Sequence, residues 1–180
     1  GRKIITTGEG GMVVTDDEEL YEKILQGRQY GKDKKGNFVG EGLNFKMSDI
    51  SAAIGIAQMR KIDKILQSRA YVAGLYDYYI TKYNLGHTIP ILMPSVRNQQ
   101  MMKTNHQSYV VRLPSTKRYY VVNKMRKDGI ECQVGSYDNS NGRCQVSAQL
   151  ANETIALPIW PGMTEEDVRT VVNELEKAME

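Results

Sequence analysis

The sequence predicts an α/β chain whose second half is a small α+β layer. Three observations predict it. Tyr109, Val111 and Leu113 alternate with polar or exposed positions, and Ile130, Cys132 and Val134 alternate again, the period of two that marks strands. Each run is followed by a helical pattern, so the second half reads strand, helix, strand, helix, with helices on one face of a sheet. Before them, no proline interrupts the chain between Ser48 and Tyr83, and apolar residues recur there at helical spacing. A helix of that length joins one domain to another.

Taken in order, Thr6 to Gly11 is a glycine-rich turn, and Met12-Val13-Val14 after it reads as a short buried strand. Asp16 or Asp17 caps a helix over Glu18–Arg28, with Leu20, Ile24 and Leu25 on one face. Gly31 to Gly42 is a polar loop, and its mixed run Lys32-Asp33-Lys34-Lys35 reads as solvated. Ser48 or Asp49 caps the long helical stretch, with a bend expected near Gly74. His87 to Asn105, with Pro90 and Pro94, reads as a loop. Thr116 opens a helix that Gly129 ends, and Ser136 to Arg143 is a polar, turn-rich loop. Thr164 to Asp167 resemble a capping box ahead of a final helix carrying Val168, Val171, Val172, Leu175 and Met179 on one face. Trp160 and Pro161 read as packing for that helix.

Composition excludes several functions. With 41% hydrophobic and 25% charged residues the chain is globular. A net charge of +3 is too small to argue for nucleic acid. Cys132, Cys144, His87 and His106 lack the close pair spacing of a zinc site, and two cysteines make no disulfide framework, which points to a reducing, cytoplasmic setting. No apolar run reaches the length of a membrane span. The chain begins Gly1-Arg2-Lys3 without an initiator Met, which points to trimming or proteolysis.

One residue could carry chemistry. Lys3 precedes the glycine-rich turn, and a lysine amine of lowered pKa forms a Schiff base with a carbonyl. Its surroundings give that chemistry a context. Lys3-Ile4-Ile5-Thr6-Thr7-Gly8-Glu9-Gly10-Gly11-Met12-Val13-Val14-Thr15 resembles the segment around the cofactor lysine of the DegT/DnrJ/EryC1/StrS family of pyridoxal-phosphate (PLP) sugar aminotransferases. Gly42-Leu43-Asn44-Phe45-Lys46-Met47-Ser48-Asp49-Ile50 and Leu157-Pro158-Ile159-Trp160-Pro161-Gly162-Met163-Thr164 match it again, in order and over nearly the whole chain.

The resemblance implies the C-terminal portion of a fold-type I PLP aminotransferase. Residues 1–65 would be a remnant of the large PLP-binding domain with the start of a connecting helix, and residues 66–180 the small α+β domain. Lys3 would hold PLP (pyridoxal 5'-phosphate) and then move the proton during amino transfer. Asn44 would reach the PLP phosphate of a neighbouring subunit, its carboxamide N–H donating without the cost of burying a charge. A keto nucleotide sugar is the implied substrate, glutamate the implied amino donor and a homodimer the implied assembly. The family's ring-pairing carboxylate, stacking aromatic and phosphate-binding serine precede its lysine, where only Gly1 and Arg2 stand here, so the chain is expected to be inactive alone. Ser136 to Arg143 is also shorter and more polar than the stretch that shapes the sugar site in relatives. The alternative is a non-catalytic module that pairs with a separate N-terminal half. In either case apolar surface at Met12-Val13-Val14 and on the Ile50 helix is expected to drive self-association.

Overall fold

The computed structural model describes residues 3–85, 89–90, 96–97, 100–101, 104–139 and 141–180. The chain divides into two compact units. One spans Ile5–Lys61; the other spans Ile62–Glu180 and takes in Lys3 and Ile4.

The Ile5–Lys61 unit holds two helices, α1 (Glu18–Arg28) and α2 (Asp49–Met59). Both start where a side chain can accept from an unpaired amide: Asp17 accepts from Leu20 N, and Ser48 from Ser51 N. The loop between them folds back on the end of α1. Leu43 N donates to Gly27 O at 2.8 Å, Phe45 N to Arg28 O at 3.0 Å, and Tyr30 N to Leu43 O at 3.1 Å. Two glycines permit this crossing. A Cβ on Gly31 would lie 1.9 Å from Gly40 O, and one on Gly42 would lie 2.1 Å from Gly31 N. In the same loop Lys34 pairs with Glu22 at the surface.

Neither helix of this unit buries a residue. Met12-Val13-Val14, expected as a buried strand, is irregular, with Met12 87% and Val14 84% exposed. A strand needs a neighbour for its backbone groups, and among the described residues none pairs with this segment. Ile50 is likewise 78% exposed.

The Ile62–Glu180 unit opens with α3 (Ile62–Lys82). The long helical stretch is thus interrupted at Arg60–Lys61, not bent at Gly74. Lys61 N turns to Gln58 O, a tight three-residue bond that ends the ladder of α2. Gly74 lies inside α3 between turns anchored by buried Val72, Ala73 and Tyr76, and this packing outweighs its weak helix propensity. Short strands follow: β1 (Ile89–Pro90), β2 (Val96–Arg97) and β3 (Gln100–Met101). They occupy part of the segment expected as a loop, while His87 and Pro94 lie outside the described residues. Then come β4 (Tyr109–Arg112), α4 (Ser115–Lys127), β5 (Gln133–Val134), α5 (Gln145–Glu153), β6 (Thr154–Leu157) and α6 (Glu165–Met179). Of the expected second strand only Gln133–Val134 pairs; Cys132 before it is buried. The α5 helix and β6 are additions to the sequence reading.

The sheet is antiparallel, in the order β1-β4-β6-β5. Tyr109 pairs with Leu157 and Val111 with Ile155, which sets four buried side chains on one face. Val72, Tyr76 and Ile80 of α3, Val121 and Met125 of α4, and Val168, Val172 and Leu175 of α6 complete the core with them. The α6 start is a full capping box: Asp167 N donates to Thr164 Oγ1 at 3.1 Å, and Thr164 N to Asp167 Oδ2 at 2.8 Å. Ala178 is buried beside half-buried Met179. No helix among the described residues is long and apolar enough to cross a membrane.

Candidate functional site

The Ile62–Glu180 unit carries an open cavity of about 1040 Å³, and Lys3 lies on its wall. That volume is at the upper end of the range for ligand sites, roughly 300–1,000 Å³. One wall is Gln107 and Ser108, the chain entering β4. Beside it, through the pairing of Tyr109 with Leu157, runs Leu157 to Trp160, the chain leaving β6. Gln133 to Gly135, Tyr137, and Asp167 and Thr170 of α6 line the cavity as well. Gly135 sits tight on the sheet: its N–H donates to Thr154 O at 3.1 Å, and an added Cβ would lie 2.7 Å from Val110 Cγ1.

The charged groups of this wall are few. Asp167 is held well below the usual carboxylate range by the backbone N–H and then the hydroxyl of Thr164. It is therefore an anion already committed to the helix cap. Cys132, next to the wall, has its thiol pushed up by burial and stays protonated, which makes it inert as a nucleophile. Lys3 is exposed, and among the described residues its Nζ takes part in no hydrogen bond or ion pair.

Asn44 lies in the Ile5–Lys61 unit. Its backbone bridges to Gln29, one of the contacts that fold the loop onto α1. The carboxamide is exposed and takes part in no hydrogen bond among the described residues. Beside it, Phe45, Lys46, Ser48 and Ser51 face Glu9 to Gly11 across a recess of about 440 Å³. The glycine-rich turn is closed by its own threonines: Gly8 N donates to Thr6 Oγ1 at 3.1 Å and Thr7 Oγ1 to Glu9 O at 2.7 Å. Gly8 takes φ of +83°, where a side chain would be strained.

The donor set fits PLP in part. A primary amine without a partner on a cavity wall can hold a carbonyl carbon, and an open carboxamide can donate to a phosphate oxygen. The set does not suit a metal, since no cluster of His, Cys, Asp or Glu among the described residues could hold one. Sequence reasoning missed the cavity walls. Gln107, Ser108, Gln133 and Tyr137 carry no motif, and Trp160, expected as packing, is 45% exposed on the wall.

Comparison with known proteins identifies the family and the fold. GDP-perosamine synthase of Caulobacter vibrioides is 30% identical over 99% of this chain and 50% of its own length. PseC of Helicobacter pylori, an aminotransferase involved in the biosynthesis of pseudoaminic acid, superposes with a TM-score of 0.84 at 25% identity, covering 98% of this chain and 50% of that one. NtdA of Bacillus subtilis, solved with the cofactor PMP bound, superposes with a TM-score of 0.73 at 21% identity, over 92% of this chain and 41% of that one. The chain thus spans about half the length of the curated relatives it matches. The fold is that of a portion of a PLP aminotransferase. With residues 1–176 matching the family profile, the chain belongs to the DegT/DnrJ/EryC1/StrS aminotransferase family, whose cofactor is PLP.

Proposed function

We propose that this chain is the C-terminal part of a PLP-dependent aminotransferase that acts on a keto nucleotide sugar in the cytoplasm, with glutamate as amino donor. The carrying observation is the family match along residues 1–176, which begins with Lys3 included and on a cavity wall. The sugar class is supported by the relative named GDP-perosamine synthase. On this reading residues 1–65 belong to the large domain and residues 66–180 are the small domain.

PLP, when bound, supplies an electron sink that eases loss of the proton from the amino-bearing carbon. The chain's residues do the rest. Lys3 Nζ would hold the cofactor, and the same amine would take and return the proton as general base and acid. The Asn44 carboxamide donates to a phosphate oxygen across a homodimer interface. Support for that role lies in its amide, exposed and without a hydrogen bond among the described residues, and in the glycine crossing that fixes its backbone.

The test is reduction with borohydride after adding PLP, followed by mass spectrometry of the Lys3 peptide. An adduct on Lys3 in preference to the other lysines is expected, without turnover by the 180-residue chain alone. Adducts scattered over surface lysines would overturn the Lys3 assignment. The exposed apolar surface of the Ile5–Lys61 unit favours a second reading, an assembly module that pairs with a chain carrying the other half. Concentration-dependent association in sedimentation is expected on both readings. Tight binding to a separate N-terminal half with no Lys3 adduct in the complex would select the second.

A further inference from the structure

Arg69 is 2% exposed, yet no carboxylate among the described residues pairs with it. Its Nη1 donates to two successive carbonyls, His106 at 2.9 Å and Gln107 at 3.2 Å, while its Nε has no partner. A buried guanidinium without a counter-ion is costly, and here its hydrogen bonds fall on a strained stretch of chain. His106 takes φ of +49°, a conformation that non-glycine residues rarely adopt. Gln107 and Ser108, directly after it, form one wall of the cavity that bears Lys3.

The same helix reaches the neighbouring segment, which the pairing of Tyr109 with Leu157 sets beside Ser108. Tyr76 OH donates to Pro158 O at 2.7 Å, and Ser68 Oγ accepts from Gly162 N at 2.9 Å. The carbonyl and the amide both belong to the chain around Trp160. Thus α3 grips both segments by side-chain hydrogen bonds to backbone groups, which fix position without dictating what side chains the segments carry.

We propose that Arg69 and Tyr76 are positioning residues that hold the adjoining Gln107–Ser108 and Pro158–Trp160 segments, the neighbouring ends of β4 and β6, in place in the cavity that Lys3 lines. The consequence for cofactor geometry rests on the assignment of Lys3 made above; the grip on the walls does not.

Trp160 is the sole tryptophan of the sequence, so its fluorescence reports one wall directly. The variants are Tyr76→Phe, which keeps the ring stacked on Tyr109 at 4.7 Å and deletes only the hydroxyl, and Arg69→Gln with Arg69→Lys as its conservative partner. In Tyr76→Phe, acrylamide is expected to quench Trp160 more strongly than in wild type, with unchanged circular dichroism. In Arg69→Gln, amide exchange over residues 106–109 should rise about fivefold, the effect of losing one hydrogen bond worth about 1 kcal/mol, while α6 stays protected. Arg69→Lys should return it toward wild type. After PLP and borohydride, energy transfer from Trp160 to the reduced Lys3 adduct should differ from wild type in both Tyr76→Phe and Arg69→Gln, which a purely global stabilising role would not produce. Wild-type quenching, exchange and transfer in these variants would overturn the proposal. Should Arg69→Gln fail to fold, Tyr76→Phe decides alone. If wild type forms no Lys3 adduct, the Lys3 assignment falls, and quenching and exchange still decide whether α3 holds the walls.

Discussion

Replacing Gly42 by alanine should release the loop that carries Asn44. The new Cβ would lie 2.1 Å from Gly31 N and 2.8 Å from Gly27 O, both backbone atoms that cannot swing aside. The loop must therefore lift from the end of α1. Lifting breaks the bonds from Leu43 N to Gly27 O, Tyr30 N to Leu43 O and Phe45 N to Arg28 O. At about 1 kcal/mol net each, the loss is about 3 kcal/mol of local stability. Because neither α1 nor α2 buries a residue, the loss stays local and does not propagate through a core. Hydrogen exchange of a peptide covering residues 43–45 is the assay, and exchange on the order of 100-fold faster is expected. Gly27→Ala is the control. Gly27 lies in the last turn of α1 with open space where a Cβ would go, and alanine there should stabilise the helix by about 0.5–1 kcal/mol. Wild-type protection at residues 43–45 in Gly42→Ala would refute the reasoning, as would equal deprotection in Gly27→Ala.

Thr164→Ala removes the side-chain half of the α6 capping box and should cost about 1 kcal/mol in a urea titration, with Thr164→Ser close to wild type. Gly135→Ala drives a Cβ to within 2.7 Å of Val110 Cγ1 and 2.8 Å of Thr154 Cβ, so overpacking of about 1–3 kcal/mol should appear in the same titration. Burial lowers the His106 pKa, and Asp77 only partly opposes it. The unfolded chain therefore binds the proton more readily: this contribution is full above the ordinary imidazole value of about 6.5 and falls as pH drops below it toward the lowered folded value. His106→Asn, a residue that tolerates the same φ of +49°, should flatten thermal stability between pH 5 and 7, and an unchanged slope would count against burial as the cause.

What was legible in the sequence was local. Asp17, Ser48 and Thr164 announce their helices because a cap is decided within three residues. The central strand β6 was not legible. Thr154, Ile155 and Leu157 are all buried, so the run shows no alternation, and four residues are too few to separate from a short helix by pattern. The α5 helix lacks a side-chain cap and buries no residue, which leaves little for the sequence to show. Met12-Val13-Val14 had the composition of a strand, but composition cannot supply the neighbour a strand needs. For the site, Lys3 and Asn44 were reached by resemblance alone. The grip of α3 on the cavity could not be reached at all, since Arg69 and Tyr76 bond backbone groups 37, 38 and 82 residues away, and a backbone acceptor leaves no mark in sequence.

The uneven distribution of burial leads to one more expectation. The buried apolar residues run from Val72 to Ala178, all in the second unit, and they form a single cluster with the sheet. Helix and strand propensities are weak, so a unit holds together by the apolar area it removes from water. By that criterion residues 62–180 suffice for a cooperative fold, whereas residues 5–61 have capped helices and a glycine crossing, and neither helix buries a residue. A chain cut to residues 62–180, which leaves out only Lys3 and Ile4 of the described residues of that unit, should melt in one sharp transition, with Tyr76 and Tyr109 giving near-ultraviolet circular dichroism. Residues 5–61 alone should show a shallow, non-cooperative melt that sharpens only when a partner surface is added. A cooperative melt from residues 5–61 by themselves would mean that loop hydrogen bonds hold that unit, and that its exposed apolar side chains need no partner.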